Sequence, residues 1–179
     1  MTKVRRKVYT YRHTLMIAES MVVQAEGDKE RDNAIAAIVF CAFTLEGYLN
    51  HVGEELIPKW NELFESLKPK AKLILLADRF DISIKFGSLP FQTFGTVFEV
   101  RNQLAHPKTK KHTYEDKNKK VWLNIGTKKW PAEKWENLCE TKYAEQFVTN
   151  TKEMIEFLDK EFPTEKIPNF ILSENIEST

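Results

Sequence analysis

Cysteine is scarce in this chain, limited to Cys41 and Cys139. A disulfide-stapled fold is excluded, and with four scattered histidines the two thiols build no zinc motif. Six glycines and seven prolines in 179 residues are too few for a loop-rich, collagenous or linker-dominated chain. Long apolar runs are missing too. The longest, Ala34 to Phe43, is about half of the roughly 20 residues that a helix needs to cross a bilayer, so no membrane partner is expected. The apolar residues after the basic start are interrupted by Glu19 and Ser20 before any cleavage site, so no secretory signal is read. A cytoplasmic protein is expected.

What remains suits one soluble globular domain. Apolar residues make up 42% and charged residues 30%, enough of the first for a core and too few of the second for disorder. The formal net charge of +1 hides an asymmetry. Arg101 to Lys129 holds nine Lys/Arg against two acids, and Trp130 to the end holds five against eleven. The first thirteen residues add five basic side chains and no acid. Opposed blocks of this kind point to one surface that faces a polyanion and an acidic face elsewhere; a solvated lysine-rich loop is the plainer alternative.

Apolar spacing predicts an all-α fold. Leu15, Ala18, Val22 and Ala25 recur at helical intervals over Tyr11 to Ala25, with Gly27 marking the end. A second helix is expected from about Asp32 to Glu55. Ile35, Ile38, Val39, Ala42, Leu45 and Leu49 form its buried face, and its nearly all-round apolar middle makes it the central helix. Pro69 opens a short helix that closes near Phe80. Phe94, Val97, Phe98, Leu104 and Ala105 give another stripe over Phe91 to His106, where Pro107 disfavours further helix. Lys108 to Lys129 is polar, with a short strand expected at Val121–Ile125 and a turn at Gly126; Trp130–Pro131 reads as a helix start. The last long helix is expected from about Thr141 to Glu161. The architecture that fits is an up-and-down bundle of four or five main helices with a basic loop or short hairpin between the last two. One domain spans residues 1–162, and 163–179 form a loosely ordered tail.

Two residues are out of place on a plain core helix. Arg101 falls on the apolar stripe, three residues after Phe98 and four before Ala105, where a guanidinium is costly unless paired or opened to a cleft. His106 stands at the helix C-terminus, where its charged form is favoured. Asn102 shares a face with His106, so its amide can orient the imidazole. A phosphate-binding cation, a polar orienter and a titratable group thus lie beside a lysine-rich loop. Cleavage of RNA by its own 2′-hydroxyl needs a base, an acid and positive charge on the phosphate, and no metal or cofactor. One chain offers one histidine in this setting. A two-fold dimer would bring a neutral and a protonated imidazole together.

The stretch Arg101-Asn102-Gln103-Leu104-Ala105-His106, ending a helix in a small all-α domain, resembles the motif of the HEPN superfamily: an arginine, a polar Asn or Asp, a short spacer and a histidine. Phe43-Thr44-Leu45-Glu46-Gly47-Tyr48-Leu49-Asn50 resembles that superfamily's second-helix segment, in which an acidic residue often faces the motif. Helix order agrees from about Tyr11 to Phe162. The resemblance implies a metal-independent endoribonuclease acting as a homodimer, often a toxin or antiviral defence effector. Arg101 and His106 would be catalytic, with Asn102 at the motif's polar position and Glu46 in support. Some HEPN domains keep the motif and serve in RNA binding or assembly, including with a cognate antitoxin.

Each residue also has a plainer reading. Arg101 can be a core-edge arginine paired with Glu46 or Glu99, and His106 a helix C-cap. Glu46 can serve only to neutralise Arg101. Lys108, Lys110 and Lys111 directly follow the motif and are expected to guide RNA towards Arg101. Trp122, Trp130 and Trp135 alternate with lysines as base-stacking platforms do, though anchoring of the excursion onto the bundle explains Trp130 and Trp135 as well. Cys41 reads as a buried small hydrophobe, and His13, His51 and His112 as surface or packing residues. Three functions follow: an endoribonuclease, a non-catalytic RNA- or protein-binding module, and a helical structural protein.

Overall fold

The computed structural model of the chain describes residues 4–6, 8–109, 133, 135–163 and 176–178. Among them are six α-helices: α1 (Thr10–Val23), α2 (Glu30–Leu56), α3 (Trp60–Leu63), α4 (Pro69–Arg79), α5 (Phe94–Ala105) and α6 (Thr141–Glu161). The fold is all-α. Two three-residue strands, β1 (Val4–Arg6) and β2 (Ile176–Ser178), pair antiparallel, with Val4 opposite Ser178 and Arg6 opposite Ile176. The second lies within the stretch that the sequence assigns to a loose tail. The strand expected at Val121–Ile125, the turn at Gly126 and the helix start at Trp130–Pro131 lie outside the described residues.

Helix α2 organises the rest. Glu30 and Asp32 place acids in its first turn, where helix N-termini favour them. It stops at Ile57, which is extended because Pro58 follows. Ala34, Ile38, Cys41, Leu45, Leu49 and Val52 along it are all nearly or wholly buried. Ile35 and Val39, expected on the core face, are half-buried instead, because alanines at positions 34 and 37 turn inward and let neighbouring helices approach. By length and composition Gly27–Leu56 could cross a bilayer, and half of its most apolar window is covered by the rest of the protein.

The packing directions follow from individual contacts. Thr14 and Thr44 hydroxyls meet at 2.9 Å, Tyr11 packs edge-on against Tyr48, and Asn33 Nδ2 donates to the Gln24 carbonyl at 2.6 Å, so α1 runs antiparallel to α2. Against α6 the direction reverses. The backbone N–H of Thr141 donates to Glu30 Oε1 at 3.0 Å, and the Tyr48 hydroxyl donates to Asp159 Oδ1 at 2.6 Å. Both pairs are 111 positions apart, so α2 and α6 lie parallel with a constant offset.

The one-turn helix α3, absent from the sequence expectations, carries Trp60, whose ring fills the space beside Gly53. A Cβ on Gly53 would stand 2.2 Å from two ring carbons, so only glycine lets the indole lie flat on α2. Pro69 occupies the first turn of α4, where its missing N–H costs nothing. Leu73, Leu76 and Ala77 then carry α4 into the core, and Lys72 goes with them at 1% exposure.

Candidate functional site

Helix α5 buries Phe94, Val97, Phe98 and Val100, and this apolar anchor sets the direction of the residues that follow. It ends at Ala105; the backbone N–H of His106 still donates to the Asn102 carbonyl at 3.0 Å. His106 leaves helical geometry and stands exposed at the helix end. The expected helix over Phe91 to His106 is thus resolved into a single tight turn at Phe91–Thr93 followed by α5.

Arg101 is drawn down onto α2. Its Nη2 forms an ion pair with Glu46 Oε2, and its Nη1 donates to Asn102 Oδ1 at 3.0 Å. The guanidinium lies 5.8 Å from the Phe98 ring centroid. The hydrogen bond that the Asn102 side chain makes is therefore with Arg101, while its link to His106 is between backbones. That differs from an amide that orients the imidazole: the arginine at the adjacent position offers a charged donor, and charged hydrogen bonds are the stronger ones. Of the two partners expected for Arg101, Glu46 holds it, and Glu99 instead accepts a long hydrogen bond from Gln103 at 3.4 Å.

Sequence reasoning missed Lys72. Its ammonium lies 3.6 Å from Glu46 Oε1, with the side chain 1% exposed against 29% for Glu46. The two carboxylate oxygens therefore serve different cations, Oε1 towards Lys72 on α4 and Oε2 towards Arg101 on α5. A signal was available. Lys72 falls on the same helical face as Leu73, Leu76 and Ala77, where a charged residue has to find a partner.

A cleft of about 1190 Å³ opens over this cluster. Glu46, Arg101, Asn102, His106 and Lys108 all line it, so five of the seven expected site residues share one cleft. Lys110 and Lys111 lie outside the described residues. The start of α4 adds Lys68 and Lys70, and Trp135 and Glu136 line it as well. Trp135 is half-buried, with the Arg31 guanidinium 5.7 Å from its ring centroid. It anchors its segment to α2 and also lines the cleft. Trp122, Trp130 and His112 lie outside the described residues.

The two thiols and the Tyr48 phenol are unsuited to nucleophilic work. Cys41 is fully buried, and desolvation pushes its thiol up to about 12. Burial likewise raises Cys139 to about 11. The Tyr48 phenol is held far above its ordinary value by burial and then by the Asp159 carboxylate. His51 stacks against Tyr11 and meets Tyr9 edge-on, a packing role, and His13 is exposed on α1. Among the described residues no group of three or more His, Cys, Asp and Glu is placed to hold a metal ion.

Comparison with protein-family models, with curated proteins and with solved structures finds no match to this chain.

Proposed function

We propose that the chain is a metal-independent endoribonuclease of HEPN type, a cytoplasmic toxin or defence effector that works as a homodimer. The observation that carries this reading is the gathering of Arg101, Asn102, His106 and Lys108 around a single cleft that Lys68 and Lys70 also line. In the reaction, His106 of one copy takes the proton of the substrate 2′-hydroxyl while that oxygen bonds to phosphorus. The bond from phosphorus to the 5′-oxygen breaks, and His106 of the second copy, protonated, gives its proton to the leaving oxygen. Arg101 balances the charge on the non-bridging oxygens. Products are a 2′,3′-cyclic phosphate and a 5′-hydroxyl.

A second reading has its own support. Arg101 already engages Glu46 and Asn102, which suits a module that binds RNA or a protein such as a cognate antitoxin without cutting. Incubation of RNA with the protein in EDTA, with analysis of product ends, decides between them. Cyclic-phosphate ends that vanish when the scissile nucleotide is 2′-deoxy support the enzyme. Binding without cleavage supports the module, and cleavage of the deoxy substrate overturns the mechanism. Light scattering tests the dimer: a monomer at micromolar concentration, active on dilution, removes the composite site.

A further inference from the structure

Arginine and carboxylate side chains tend to lock together through two parallel hydrogen bonds, which neutralise both groups and use up the fork. Here they do not. Glu46 gives Arg101 one oxygen, with its other oxygen 3.6 Å from the ammonium of Lys72 and the Arg101 Nη1 bonded to Asn102 Oδ1. The cluster also carries one positive charge in excess, two cations to one carboxylate. Without Lys72 it would be neutral, and both carboxylate oxygens would be open to Arg101.

We propose that Lys72 is a positioning residue that keeps the Arg101 fork and its charge available to an anion in the cleft. As a claim about phosphate on RNA this rests on the reading above; as a claim about Arg101 it stands on the geometry of three side chains. Lys72 is suited to the task by its burial. At 1% exposure it is itself closed to ligand, and its ammonium stands against Glu46 Oε1. The cost of a buried cation is offset by the carboxylate, and the net field of the cluster emerges at Arg101, which is 20% exposed and lines the cleft.

The test compares wild type, Lys72→Met and the double variant Lys72→Met/Glu46→Gln, with folding followed by thermal melting. The first readout is phenylglyoxal modification of Arg101, measured by peptide mass, which needs no RNA. It slows in Lys72→Met, as Glu46 takes both sides of the fork, and returns in the double variant. The second is binding of a short fluorescent 2′-O-methyl oligouridylate, which cannot be cleaved. Loss of one net charge makes Lys72→Met about fivefold weaker at 0.1 M salt and its log–log salt slope shallower by about 0.7. The double variant recovers most of that loss, which restored packing alone could not do. If Lys72→Met does not fold, Lys72→Gln carries the same comparison. Unchanged modification of Arg101 in the single variant, or no recovery in a folded double variant, overturns the proposal. A wild type that binds the oligonucleotide without cutting its ribose form removes the endoribonuclease and leaves Lys72 in place. A wild type that does not bind it, but shows the modification pattern, removes RNA as ligand and retains the positioning role.

Discussion

Glu46 and Arg101, fifty-five positions apart in the chain, meet as an ion pair that joins α2 to α5 at the floor of the cleft. Neither residue is fully buried, at 29% and 20% side-chain exposure, so the pair is reachable from the cleft rather than sealed in the core. A partly buried pair that solvent in the cleft still reaches contributes modest stability, on the order of 1 kcal/mol. Its importance lies in where it holds the guanidinium.

Replacement of His106 by alanine removes the proton shuttle of the proposed reaction. Single-turnover cleavage should fall by about 10²–10⁴-fold with RNA affinity nearly unchanged. Arg101→Lys keeps the charge and loses the fork, so partial activity at best is expected. Rates on a defined RNA in EDTA check both.

Changing Lys108, Lys110 and Lys111 together to glutamate should weaken RNA binding and flatten its salt slope, with the melting temperature unchanged. Each lost phosphate contact makes the slope on a single strand shallower by about 0.7. Unchanged affinity at low salt would separate these lysines from the cleft.

Gly53→Ala places a methyl group where the Trp60 ring lies. The indole has to tilt away or α3 has to lift, and overpacking of this sort costs about 1–3 kcal/mol. Urea unfolding should show the loss, and Gly87→Ala, whose Cβ meets nothing within 4 Å, is the control.

Glu30 accepts the backbone N–H and the hydroxyl of Thr141, and these bonds hold its carboxyl below the ordinary value of 4.5. Its stabilising effect is complete above that ordinary value and is lost as pH falls through the lower folded value. The melting temperatures of wild type and Glu30→Gln should therefore differ at neutral pH and converge in acid, below the ordinary carboxyl range.

Both thiols should be silent to a thiol reagent in the native protein at pH 8, since burial raises Cys41 to about 12 and Cys139 to about 11. Two should react once the chain is unfolded in urea.

How much of this was legible in the sequence depended on whether a residue broke a local pattern. The Arg101–Glu46 pair was one of two that could be anticipated, because an arginine on an apolar stripe demands a partner and Glu46 and Glu99 both offered one. Lys72 broke the stripe of α4 in the same way and carried the same signal. The helix ends followed from proline, since Pro58, Pro69 and Pro107 each mark one. The fit between Gly53 and Trp60 left no trace, as neither residue is unusual alone. The parallel run of α2 and α6 was hidden as well, because local spacing says nothing about direction across a long connection.

That parallel run shapes how the chain comes together. The Glu30–Thr141 and Tyr48–Asp159 contacts each close a loop of 111 residues. Closing such a loop in a flexible chain costs roughly 4 kcal/mol in entropy. The cost falls only once, because after one contact forms, the rigid helices carry the other pair to within reach. Helix α1, joined to α2 by a short turn, needs no such closure. The α1–α2 contacts are local in sequence, whereas α6 reaches α2 only across that long loop.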